Sequence, residues 1–142
     1  MMKFVIAISL CSSAAAADGR HRYDEARGSC PGLNPPAPAA WFAPGPVANV
    51  YADVDAECVD LRGFDFRRYS GGRYPRLLRW NLRGADFSGA NISYVRFLDG
   101  DLRGASFDGA EMIYGALRGT VDAFTKLPPG CEPEGDAVDC WR

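Results

Sequence analysis

Large apolar residues recur at every fifth position from Leu77: Leu77, Leu82, Phe87, Ile92, Phe97, Leu102, Phe107, Met112 and Leu117. Two residues before each stands a small or apolar one: Pro75, Trp80, Ala85, Ala90, Val95, Gly100, Ala105, Ala110 and Gly115. Side chains repeat every 3.6 residues on a helix and every 2 on a strand, so neither element explains the pattern. Residues 75–119 therefore predict repeat architecture, and repeat architecture says little about activity.

A second period lies over the first. The segment Val59-Asp60-Leu61-Arg62-Gly63-Phe64-Asp65-Phe66 aligns with residues 80–87, and those align with residues 100–107, at offsets of 21 and then 20. Four five-residue sides complete one turn, and residues twenty apart then stack. The expected interior columns are Leu61–Leu82–Leu102 and Phe66–Phe87–Phe107, with Ile92 under Met112 and Phe97 under Leu117. Gly71 and Gly72 are expected to absorb the one extra residue as a bulged corner. Phe64 breaks the run of small residues, which suits an end turn that a bulky side chain helps to close. Turns paired as parallel strands stand about 4.8 Å apart, so three turns give a rod about 15 Å tall.

Ala85-Asp86-Phe87-Ser88-Gly89 and Ala90-Asn91-Ile92-Ser93-Tyr94 resemble the pentapeptide-repeat family, whose usual unit is Ala-(Asp/Asn)-Leu-x-x. The resemblance covers residues 59–68 and 75–119 and leaves both flanks unmatched. It implies an all-β fold, a right-handed quadrilateral β-helix of about three coils. It is specific for fold and poor for function, because the residues that define the family are the interior ones. Some members resemble nucleic-acid duplexes and protect topoisomerases by mimicry. That role is not carried over to this chain, whose expected export, cysteine usage and near-neutral charge all oppose it.

The flanks bear on compartment. Met1-Met2-Lys3, the apolar run 4–10 and the small residues up to Ala17 have the layout of a secretory signal, with cleavage expected before Asp18. The run is too short to span a bilayer, and no transmembrane segment is expected in the mature chain. Lipidation of Cys11 is the weaker reading, because Leu10 is a poor residue to precede a lipidated cysteine. The expected divisions are a signal peptide at 1–17, a proline-rich N-terminal flank and cap at 18–58, the repeat at 59–119, and a C-terminal cap with a cysteine loop at 120–142. The protein is expected to be exported, periplasmic or secreted.

Loss of the signal leaves Cys30, Cys58, Cys131 and Cys140, which suggests two disulfides in one of three connectivities. Proximity favours Cys30–Cys58 and Cys131–Cys140, one on each side of the repeat and each stabilising by about 3 kcal/mol. The cysteines lack a close Cys-x-x-Cys pair and the single histidine, His21, is distant in sequence, so neither metal nor cofactor is expected. Pro31, Pro35, Pro36, Pro38, Pro44 and Pro46 oppose regular ladder pairing, and Trp41 and Phe42 among them are expected to cap the first apolar layer. Asp122 falls where the next large apolar residue is due, so the repeat is expected to end after Leu117. Phe124 and Leu127 then serve as cap residues, with a short helix at 121–126 and Trp141 folded back over Leu117. A homodimer through a terminal coil remains open.

A formal charge of −2 provides no field to attract a polyanion, and no nucleic-acid partner is expected. The predicted stacks set Ser88 with Asp108, Asn91 with Glu111 and Asp86 with Ser106, none of which includes a histidine or cysteine base. Asp99, Asp101 and Glu111 lack the cleft that paired carboxylates need for glycoside hydrolysis. His21 is expected to be exposed, and no catalytic residue is assigned. Tyr94, Tyr114, Leu98 and Ile113, outward and aromatic or apolar, form the candidate protein interface. Arg62, Arg83 and Arg103, expected in one outward column offset by Asp60, Asp65, Asp86 and Asp101, form a candidate anionic-ligand patch. The resulting expectation is an exported noncatalytic module that binds an extracytoplasmic protein or helps build an envelope structure. The alternative is a small lectin-like or anionic-ligand-binding module.

Overall fold

The structure, a computed structural model, describes residues 19–43, 47–69 and 74–141. The expected signal peptide, Pro44, Pro46 and the Gly71-Gly72 corner lie outside the described residues. The regular elements are a short helix α1 (Pro38–Trp41), β1 (Val50–Ala52), a 3-10 turn (Phe66–Tyr69), β2 (Arg76–Leu78), β3 (Arg96–Asp101), β4 (Ala116–Thr120), β5 (Pro133–Glu134) and β6 (Ala137–Trp141). The strands form one mixed sheet in the order β1-β2-β3-β4-β6-β5, parallel from β1 to β4 and antiparallel beyond.

Three further lines of single parallel rungs run beside that sheet: Asp55–Asn81–Asp101, Asp60–Asp86–Ser106–Lys126 and Asp65–Asn91–Glu111. The step from residues 76–95 to 96–115 is twenty, as the pattern predicts. Every large residue of the five-residue register, from Leu77 to Leu117, is buried. Phe87 and Phe107 stack with ring centroids 4.6 Å apart, as residues one layer apart should.

The pentad makes this backbone by closing a turn on each side. The carbonyls of Leu82, Phe87, Ile92, Leu102 and Phe107 accept from the amides three residues on, at 2.9–3.2 Å. The residue two after each of these has positive φ, the signature of a type II turn, and glycine supplies it without strain at Gly84, Gly89, Gly104 and Gly109. The Asp or Asn before the large residue accepts from the amide two residues later: Asp86 from Ser88 at 3.0 Å, Asn91 from Ser93 at 3.0 Å and Asp101 from Arg103 at 3.2 Å. Such local side-chain bonds favour turns.

The first layer is not where sequence similarity placed it. Val50 pairs with Arg76, Asp55 with Asn81, Asp60 with Asp86 and Asp65 with Asn91, a step of 26 residues. Ala56 therefore stacks with Leu82, Leu61 with Phe87 and Phe66 with Ile92, and the expected columns beginning at Leu61 and Phe66 are each displaced by one side. The cause is degeneracy. Each side uses the same pentad, so the shared Leu-Arg-Gly of residues 61–63 and 82–84 slides by five positions with no apolar residue leaving the interior. Phe66 still reaches Phe87 across the core, with centroids 6.1 Å apart.

The last layer also departs from expectation. The β3–β4 register skips one residue between Phe97 and Gly100, which advances the chain so that Leu102 donates to the Thr120 carbonyl at 2.8 Å. Val121, only 2% exposed, takes the interior place above Leu102 and turns Asp122 outward. Parallel pairing continues to Lys126 rather than ending after Leu117, and residues 121–126 hold turns in place of a helix.

Both ends are covered. At the first, Trp41 packs edge-on against Trp80 at 5.6 Å, and Phe42 lies 4.9 Å from Tyr51 and 6.1 Å from Phe66. At the other, β6 pairs with β4 and turns Val138 and Cys140 inward. Cys140 therefore stands opposite Leu117, while Trp141 stands opposite Ala116, is 59% exposed and has the Arg96 guanidinium 5.7 Å from its ring. The Cys30–Cys58 and Cys131–Cys140 disulfides form, a pairing that belongs to a non-reducing environment.

Candidate interaction surface

One outward side is occupied by the chain's own N-terminal segment. Residues 20–30 run across the layers as a strap: Arg22 meets Asp55 at 2.8 Å, the Tyr23 amide donates to Glu57 at 2.6 Å, and the Tyr23 hydroxyl reaches Asp122 of the last layer at 2.6 Å. Glu25 then pairs with Arg103 at 2.8 Å, the Asp24–Ser29 bridge reverses the chain, and the Cys30–Cys58 disulfide returns it to the first layer. His21, expected to be exposed, is half-buried against Gly32, and its amide donates to Asn34 at 2.8 Å.

The strap approaches so closely that glycine is required beneath it. A Cβ at Gly84 would fall on the Cys30 sulfur, and one at Gly104 on the Tyr23 ring. The buried Tyr23 phenol loses its proton less readily than usual, first because of burial and then because it donates to Asp122. Burial alone would push Asp122 up, yet the Tyr23 hydroxyl, the amides of Gly104 and Phe124 and the Thr125 hydroxyl together hold its carboxyl below the usual range.

This side also holds two of the three arginines expected to form an anion patch. The 26-residue step puts Glu57, not Arg62, in the column with Arg83 and Arg103. Glu57 is 2% exposed and accepts from Arg83 at 2.7 Å and Asn81 at 3.0 Å. Arg103 is held by Asp101 at 2.7 Å as well as by Glu25. Arg62 stands one side away and forks onto Asp60 through two 2.8 Å bonds, which hold the Asp60 carboxyl below its usual range. Asp65 pairs with Arg67 and does not offset the column as expected, while Asp86 accepts from Ser88 and acts on Arg62 only at longer range. The expected column is thus divided between two sides, and its members are engaged by carboxylates. Sequence reasoning missed Glu57, whose only advance signal was a large charged residue directly before Cys58.

Tyr94 and Tyr114 do lie one above the other, their rings tilted by 31° with centroids 5.7 Å apart. Tyr74, which sequence reasoning passed over, extends the ladder, its ring 5.2 Å from Tyr94 and nearly parallel at 15°. Its signal was present, since residues 74, 94 and 114 are spaced by twenty. Tyr74 is 55% and Tyr114 71% exposed. Ile113, 49% exposed, donates its amide to Ser93 in the layer below at 3.1 Å and directs its side chain outward. Leu98 is half-buried on the next side, in β3, and is not part of the ladder. Tyr94 and Tyr114 occupy the turn position that takes positive φ, at 67° and 54°, where the preceding side uses Gly89 and Gly109 and the following one Arg79 and Asp99.

Of the carboxylates considered for glycoside hydrolysis, Asp101 is held by Arg103, and Glu111 lies on a different line of rungs from Asp99 and Asp101 of β3. Among the described residues, no three His, Cys, Asp or Glu side chains are grouped to hold a metal ion, and no helix is long and apolar enough to cross a membrane. Residues 80–109 match the family model for pentapeptide repeats, eight copies. No curated protein and no solved structure matches the chain.

Proposed function

Through residues 80–109 the chain belongs to the pentapeptide-repeat family, and from that premise we propose that it is a right-handed quadrilateral β-helix acting outside the cytoplasm as a noncatalytic module that holds another protein against its tyrosine ladder. The four lines of parallel pairing at a twenty-residue step support the β-helix. Two disulfides and the signal-like residues 1–17 support export. Assembly into an envelope structure is one form such binding takes.

The observation that carries the reading is the ladder at positive φ. A non-glycine residue in that region costs about 1–3 kcal/mol, and such strain concentrates at functional sites. Stacked tyrosines regain part of the cost, but on the open side nothing in the fold requires them, whereas glycine serves the same turn next door. Tyrosine is enriched at interfaces because it combines a large apolar face with a polar tip.

The test is a crosslinking pull-down from the native extracytoplasmic fraction with wild type and a folded Tyr94→Ala/Tyr114→Ala variant. Loss of one specific partner is the expected result. An unchanged partner set overturns the reading.

A further inference from the structure

The twenty-residue step that stacks the tyrosines also stacks Arg76 on Arg96, paired positions in β2 and β3. Each arginine is two residues beyond a ladder tyrosine, Tyr74 before Arg76 and Tyr94 before Arg96, so the two columns run side by side around one corner. Neither guanidinium forms an ion pair with a carboxylate among the described residues: Asp53 and, at longer range, Asp99 of β3 face Arg79, and Asp139 pairs with Arg118. In the next layer the place of a third arginine is taken by Ala116, which is fully buried, with Trp141 paired opposite it and Arg96 against the Trp141 ring.

Two cations about 4.8 Å apart repel one another, and among the described residues no carboxylate lies within ion-pair distance of either. The tyrosines add to the same sign of field. The stacked Tyr74 and Tyr94 rings hide their facing negative faces in one another and present their positive edges to solvent. The corner is therefore a local cationic strip on a chain whose net charge is −2.

We infer that the partner engages this corner with an acidic segment of protein chain whose carboxylates meet Arg76 and Arg96 and whose apolar side chains cover Ile113 and Trp141. Guanidinium forks suit carboxylates. The exposed apolar residues beside the strip select a protein over an acidic polysaccharide, which has no apolar side chains to set against them. This inference rests on the interaction reading above and adds the chemistry of the partner.

The probe is a labelled peptide of alternating glutamate and leucine, titrated by fluorescence anisotropy into the full mature protein, with a lysine–leucine peptide and polyglucuronate as comparisons. The glutamate–leucine peptide is expected to bind, the lysine–leucine peptide not to, and polyglucuronate to bind more weakly. Arg76→Glu/Arg96→Glu should weaken the peptide about tenfold. Raising the ionic strength to about 1 M, where screening acts within about 3 Å, should do the same. Arg76→Gln/Arg96→Gln, milder for the fold, should show a smaller loss in the same direction. Equal binding by the reversed variant, or polyglucuronate binding as tightly as the peptide, overturns the inference. In the crosslinking experiment, a partner lost with the tyrosine variant but retained with Arg76→Glu/Arg96→Glu overturns the acidic segment and leaves the interaction reading standing. A partner retained by both variants overturns both readings.

Discussion

Two outward pairs of arginines are laid down by the same twenty-residue step, Arg83–Arg103 under the strap and Arg76–Arg96 beside the tyrosines. Their surroundings are opposite. The first pair meets Glu57, Asp101 and Glu25, while the second meets no carboxylate among the described residues. The turn positions differ in parallel: glycine at 84 and 104 lets the strap lie against the backbone, while Tyr94 and Tyr114 fill the equivalent place on the open corner. A repeat fixes where side chains stand, and the nonrepeat flank decides which of them remain available. The strap side is engaged within the fold, and the corner carries the proposed recognition surface.

The largest effect should come from Glu57, whose buried carboxylate joins the strap to the first layers. Glu57→Ala leaves the Tyr23 amide and the Arg83 guanidinium without their shortest acceptor, and breaking such a buried pair costs about 3–5 kcal/mol. Arg76→Ala, on the open corner, should change stability by no more than about 0.5 kcal/mol. Urea midpoints of the two variants test the contrast directly. Equal midpoints would mean that the two arginine pairs are energetically alike after all.

The next effect compares glycines of the same backbone conformation. Gly104→Ala drives a methyl into the Tyr23 ring at a φ of 69°, adding an overpacking cost of about 1–3 kcal/mol to the conformational one. Gly89→Ala at the same φ meets open space and incurs only the conformational cost, about 1 kcal/mol. If both alanines cost the same, the strap does not press on the layer as described.

The five-residue register was legible throughout because burial enforces it: a slip by one residue turns a phenylalanine into water. The placement of the first layer was not, because a slip by five exchanges one interior apolar residue for another, Leu61 for Ala56, and leaves the interior occupied. One skipped residue in β4 similarly hid Val121 behind Asp122. The tyrosine ladder was partly legible, since its positions follow the twenty-residue step, and Tyr74 and Arg76 obey that rule as well as Tyr94 does. The fate of Arg83 and Arg103 was invisible, because it depends on Glu25 and Tyr23 crossing the layers from a segment with no periodicity at all.

Titration should separate the strap from the corner at a smaller scale. Tyr23 holds its proton more tightly folded than unfolded, so its contribution is complete below about pH 10, the ordinary tyrosine value, and is lost as pH rises beyond it. Asp122 is shifted the other way, so its contribution is present above about pH 4 and is lost as pH falls through its depressed folded value. Tyr23→Phe should cost about 1–2 kcal/mol at neutral pH and flatten the alkaline fall in the urea midpoint. An alkaline limb unchanged in Tyr23→Phe would assign the loss to other groups.

The smallest expected change in stability is the most informative about the corner. Tyr114 is 71% exposed with φ at 54°, so glycine there relieves backbone strain while giving up one ring of the ladder. The relief is about 1–3 kcal/mol, and the lost stacking about 0.5–1.5 kcal/mol. Tyr114→Gly should therefore unfold at the same urea concentration as wild type or at a slightly higher one, in contrast to substitutions under the strap. Its capture of a partner in the crosslinking experiment should nevertheless fall. A clear loss of stability in Tyr114→Gly would make the ladder a structural device like the strap, and the difference between the two sides would then lie only in how much each contributes to the fold.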